Sequence, residues 1–204
     1  ICTHFHNGHA STAGWLIQRM GCSLHMTQPE FLTGITSYGD QALSRREDAM
    51  ELLLHNGLDP RIAAGTLDFK ARYGAEVKDF PRSFQRIQGG QEIAIGGRQW
   101  KVILGYGHSP EHAALYCADL GVLIAGDMVL PRITTNVSVQ AVEPDANPLR
   151  WFMDSLAVHA TLPADTLVLP SHGLPFHGLR ERVRYLRNHH KQRLEELVQA
   201  CATP

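Results

Sequence analysis

Apolar and polar positions alternate along this chain in short β-type runs separated by longer stretches of helical spacing. Residues 1–9 read as a strand end running into a histidine-rich loop, 10–20 as a short helix and 23–26 as a strand, which makes a βαβ opening. From 27 to 78 the spacing turns helical, with Glu47, Met50, Leu53 and Leu54 in one segment and a break at Gly57 to Pro60. That stretch is expected to be an inserted helical region. Strands are predicted over 92–95 and 99–104, joined at Gly96 and Gly97 by a two-residue hairpin turn that suits glycine's permissive φ. Three more β-rich runs follow at 115–118, 122–125 and 166–169, and helices are predicted over 148–160 and 179–200. In the last helix Leu179, Val183, Leu186, His190, Leu194, Leu197 and Cys201 recur at intervals of three and four and define one packed face. The opposite face carries Arg180, Arg182, Arg184, Arg187, Lys191 and Arg193, which a solvated helix surface explains better than a phosphate or nucleic-acid contact.

Composition adds one anomaly to an otherwise ordinary globular profile. With 204 residues, 44% hydrophobic and 19% charged, the chain can build one sizeable domain. A net charge of −1 gives no field that favours nucleic acid. No apolar run is long enough to span a membrane and no basic segment precedes one, so neither a membrane nor a signal peptide is expected. The anomaly is 12 His against 4 Cys. Cys2, Cys22, Cys117 and Cys201 stand singly, which fits reduced thiols in a cytoplasm rather than a disulfide framework or a thiolate zinc knuckle.

The histidines matter because of where they fall. Four β-rich runs lead into segments rich in metal-ligand residue types: THFHNGH at 3–9, GHSPEH at 107–112, AGD at 125–127 and PSHG at 170–173. Imidazoles bind Zn, Fe or Mn through either ring nitrogen, and a carboxylate between two cations can bridge them. Loops at strand ends can project such groups into one cleft without disturbing the sheet.

In these four ordered motifs the sequence resembles the metallo-β-lactamase superfamily, in the branch that includes glyoxalase II, lactonases and lactamase-like nucleases. His4, His6 and His9 match the three histidines of that family's HxHxDH motif. The resemblance implies that His4, His6 and His108 hold a first metal, that His9 and His172 hold a second, and that Asp127 bridges both. Asp127 and His9 carry over as the catalytic pair, while His112 and His177, next to ligand motifs, would be donors or substrate contacts behind the ligands. Zn2+ is the expected ion, one or two per chain, although Fe and Mn accept the same donors.

One position departs from the pattern. Gly8 stands where the family carries an Asp that ligates the second metal, so the second site should be the weaker. Asn7 and Glu111 are the nearest polar substitutes, neither at the matching position. The resemblance implies a hydrolase using a metal-bound hydroxide on an ester-type bond: a thioester, a lactone or a phosphodiester. The small-molecule substrate would lie under the helical region at 27–78. A rival reading makes Gly8 the mark of a non-hydrolytic or weakly active metal-binding member, and a di-iron redox partner is a third. The implied fold is α/β, a four-layer αββα sandwich, in one partial domain over 1–204 with the insertion at about 27–78. Part of the first sheet would precede the first motif, so the chain is expected either to come from a longer protein or to have an exposed sheet edge covered by another chain, which leaves homo-oligomerisation open.

Overall fold

A computed structural model describes residues 1–38, 45–74, 77 and 79–202 of the chain. Its centre is a five-stranded sheet in the order β3 (Glu92–Ile95), β4 (Arg98–Gly105), β5 (His112–Cys117), β6 (Val122–Gly126), β7 (Leu167–Pro170). The first three pairings are antiparallel and β6 runs parallel to β7, as the long crossover between them requires. A second sheet has two parallel strands, β1 (His25–Met26) and β2 (Gln85–Arg86).

Side-chain alternation sorts residues between two interfaces. Ile103, Ala114 and Leu123 face α6 (Pro148–His159) and α7 (Leu179–Cys201), where Phe152, Leu156, Leu179, Val183 and Leu186 complete the largest core. Val102, Ala113 and Leu115 point the other way, toward Ile87 beside β2. Beyond that lie α2 (Ala13–Met20) and α3 (Gln28–Tyr38), packed over Leu24, Met26 and Phe31. Helices, sheet, sheet and helices form the expected α/β layers.

Several expectations need correction. No strand is assigned within residues 1–9. Instead the Cys2 N–H donates to His25 and the Thr3 carbonyl accepts from Ala113, so this extended segment ties β1 to β5 before turning into a short helix, α1 (Asn7–Ala10). The strand β5 starts at His112 rather than 115, because His112 pairs with Gly105 across the sheet. The hairpin at Gly96 and Gly97 is as expected, with both φ positive and Ile95 paired to Arg98. Between 27 and 78 the described helices are α3, α4 (Arg45–His55) and α5 (Pro60–Gly74). Asp59 caps α5 by accepting from the Arg61 and Ile62 amides. Positions 39–44, 75–76 and 78 of that expected insert lie outside the described residues.

The stripe on α7 packs only over its first half. Leu179, Val183 and Leu186 are buried, whereas Leu194, Leu197 and Cys201 are exposed because the helix runs on past the sheet it covers. Its basic face is largely occupied: Arg180, Arg182 and Arg187 donate to carbonyls of Leu162, Ile133 and Met153, and Arg184, Lys191 and Arg193 pair with Glu181, Glu195 and Glu196. Among the described residues no helix is long and apolar enough to cross a membrane. All four cysteines are free thiols.

Candidate metal centre

The four motifs converge at the ends of β4, β6 and β7 and at the N-terminal segment. His4, His6, His108 and Asp127 each offer one donor atom, all within 4.8 Å of one another, and so do His9, Asp127 and His172. The carboxylate of Asp127 lies between the two groups. Its Oδ2 is 3.2 Å from His108 Nε2 and 3.8 Å from His4 Nε2; its Oδ1 is 3.4 Å from His9 Nε2 and 3.6 Å from His172 Nε2.

Spacing and tautomer both suit a cation. His6 Nδ1 and His4 Nε2 lie 3.1 and 3.2 Å from His108 Nε2. Four donors around a tetrahedral zinc at its usual bond lengths stand about 3.4 Å apart, so the observed edges bracket that geometry. The Nδ1 of His108 sits 2.7 Å from the Asn136 carbonyl. A carbonyl can only accept, so the ring proton is on Nδ1 and the Nε2 lone pair faces the cluster. His4 is held neutral: burial pushes its pKa far down, and His112, His6, His9 and His108 push it further. For Asp127 burial works upward, but the Ser171 hydroxyl and the close rings of His108, His9 and His4 hold it well below the usual carboxylate range. Neutral imidazoles and an ionised carboxylate are the protonation states that bind metal.

Backbone geometry aims the carboxylate. The register between β6 and β7 shifts between Ile124 and Gly126, and Gly126 has φ +52°. A Cβ there would lie 2.3 Å from His112 Nε2, so only glycine leaves room for that ring. The Asp127 N–H donates to His112 Nε2 and the Asp127 carbonyl accepts from Thr135 Oγ1. His112 is fully buried and its Nδ1 has no partner among the described residues. The segment after Asp127 thus holds the site twice, through Thr135 and Asn136.

The remaining expected residues divide. His177 stands apart, with its Nδ1 donating to the Asp165 carbonyl at the opposite end of β7 from the site. Glu111 is turned to Tyr106 and Arg86. Gly8 lies exposed on α1, and Asn7 is buried beside it. Two contacts were not singled out from sequence: Ser171 Oγ donates to Asp127 Oδ1, and buried Glu30 accepts from loops on both sides of the first cluster. Ser171 lies inside the PSHG motif and could have been flagged there; Glu30 carries no local signal.

Comparison with known proteins bears on the family and the fold. The family model for the metallo-beta-lactamase superfamily matches residues 1–172. A beta-lactamase domain protein from Burkholderia ambifaria is 42% identical with a TM-score of 0.79, covering 98% of this chain and 56% of that one. A metallo-beta-lactamase family protein from Thermus thermophilus is 27% identical with a TM-score of 0.80, covering 97% of this chain and 62% of that one. The chain therefore spans less than two thirds of either structure. A more distant fold neighbour, 21% identical with a TM-score of 0.57 over 89% of this chain and 73% of its own, was solved in a di-iron-bound form. Comparison with curated proteins gives no match. With its motifs gathered at one end of an αββα core and that family's model matching residues 1–172, the chain belongs to the metallo-beta-lactamase superfamily.

Proposed function

We propose that this protein is a metal-dependent hydrolase of esters or thioesters with an apolar acyl group. The observation that carries the reading is the division of Asp127, whose two oxygens face different sets of imidazoles: His4 and His108 on one side, His9 and His172 on the other. His4, His6 and His108 would hold the first ion with Asp127, and His9 and His172 the second. Bound there, a divalent cation, Zn2+ or else Fe or Mn, supplies Lewis-acid polarisation and an activated water. The chain's own part is to keep His4 neutral, fix the His108 tautomer through Asn136, and shield His4, His108 and Asp127 from bulk water.

Substrate class follows from the adjoining cavity of about 810 Å3, which His108 and Ser109 border. Phe5, Leu67, Trp151 and Val158 line it, and its charged walls among the described residues are the acids Asp48, Glu143 and Asp154, without Lys or Arg. An apolar acyl chain suits such walls, while a phosphodiester would meet Asp48 and Glu143, with no Lys or Arg among the described residues lining the cavity and the nearby Arg150 already paired with Asp154. The test is turnover by protein reconstituted with Zn, Mn or Fe, using esters and thioesters of rising acyl length against bis(p-nitrophenyl) phosphate. KM should fall as the acyl chain lengthens, with the phosphodiester inert; faster phosphodiester cleavage would overturn the substrate class.

Gly8 supports a second reading, a metal-binding member with weak or no hydrolysis, because the second set holds three donors against four. No turnover with any of these metals, together with activity gained by Gly8→Asp, would favour it.

A further inference from the structure

We propose that Glu30 is a positioning residue for the first metal site: its carboxylate braces the segment carrying His4 and His6 against the loop carrying His108, and so sets the distance between those ligands. The inference rests on the metal-centre reading given under Proposed function.

Glu30 lies in the first turn of α3 and is completely buried. Its Oε2 accepts the Phe5 N–H at 2.9 Å, and Phe5 is the residue between His4 and His6. Its Oε1 accepts the Ser109 hydroxyl at 2.6 Å and the Glu111 N–H at 2.7 Å, in the loop that begins with His108. One side chain thereby joins two segments more than a hundred residues apart in sequence. The rest of α3 reinforces the same join. Thr27 Oγ1, just before the helix, donates to the Glu111 carbonyl at 2.8 Å, and the Tyr38 hydroxyl at the helix end donates to the Phe5 carbonyl at 2.7 Å.

A carboxylate buried this deeply is costly unless its oxygens are satisfied. Burial pushes the Glu30 carboxyl upward, and the bonds from Ser109, Glu111 and Phe5 oppose that. Every partner donates, which no neutral isostere can match. An amide at this position turns an N–H toward a backbone N–H in either orientation: toward Phe5 if its oxygen faces Ser109 and Glu111, or toward Glu111 if its oxygen faces Phe5. Glu30→Gln therefore keeps shape and volume while breaking the brace. The consequence should appear in the ligands, because His6 Nδ1 and His108 Nε2 stand only 3.1 Å apart and belong one to each braced segment.

The test is a Co2+ titration of metal-free wild type, Glu30→Gln and Ser109→Ala, following the visible absorption of the bound ion, with amide hydrogen exchange on the same metal-free proteins. In Glu30→Gln the first, tighter binding event should weaken by roughly 10- to 100-fold, the range for a partner that orients a metal ligand. Its cobalt spectrum should change shape, and the Phe5 and Glu111 amides should exchange faster. Ser109→Ala, which removes one donor and leaves Glu30 in place, should weaken the same event by a smaller factor without perturbing the weaker one. If Glu30→Gln does not fold, Ser109→Ala decides. Unchanged first-site affinity and spectrum in a folded Glu30→Gln, or in Ser109→Ala when Glu30→Gln cannot fold, would overturn the brace and leave the metal centre standing. A wild-type chain that binds no Co2+ would overturn both.

Discussion

The two halves of the centre share one carboxylate yet are built to different standards. The first set has four donors, with His4 inaccessible to solvent and His108 nearly so, and each of these two is backed by a further contact: Thr3 for His4, Asn136 for His108, and α3 behind both segments. In the second set His172 has a side chain 57% exposed, His9 one 18% exposed, and position 8 contributes no donor. Metal affinity depends on how many donors are held and how rigidly, because a ligand that must be immobilised on binding costs entropy. The halves should therefore differ in affinity although they draw on the same residue types.

The largest perturbation should come from Asp127→Ala, which removes an oxygen from both halves at once. Both affinities should fall by more than about 100-fold, beyond the loss caused by a supporting partner, and hydrolysis should drop to background; retention of either ion on metal analysis would show that the halves are independent. Next, His108→Ala and His172→Ala should separate them. His108→Ala is expected to lower first-site affinity by more than about 100-fold, whereas His172→Ala should weaken only the second event. Equal damage from the two variants, read by Co2+ titration, would break the comparison. Metal removal offers a gentler probe. A chelator should strip the exposed half before the buried one, and the first ion should account for most of the stabilisation, about 2.7 kcal/mol when free metal is 100-fold above its Kd; thermal unfolding against chelator concentration checks this. The smallest change should follow from Gly8→Asp, which places an anion on the α1 helix beside His9 and should tighten the second event by about tenfold, equivalent to roughly 1.4 kcal/mol. A variant whose two affinities are both unchanged would show that position 8 does not face the site.

Sequence legibility followed the same division between what is local and what is not. The ends of β4, β6 and β7 could be read because their apolar runs stop at His-, Asp- and Gly-containing segments, and the Gly96 and Gly97 turn could be read because its chemistry lies in two adjacent residues, whereas the strand end expected in residues 1–9 is an extended segment running into α1. Residue spacing alone could not show that the motifs meet; the resemblance supplied that, and the folded chain brings them within coordinating reach. Glu30 was hidden because its three partners come from positions 5, 109 and 111, and a glutamate early in a helix has an ordinary explanation at the helix N-terminus. His177 was misplaced because nearness to His172 in sequence says nothing about which end of β7 the chain returns to. On α7 a continuous apolar stripe implied continuous packing, but periodicity cannot tell where the neighbouring sheet ends.

Gly126 places an unusual limit on how this centre can vary. The ring of His112 fills the volume where a methyl group would otherwise sit, so the lightest possible addition at that residue must displace the imidazole that accepts the Asp127 N–H. Tolerance to change is thus narrow at a residue that offers no donor at all, and a survey of substitutions confined to ligating side chains would pass over it.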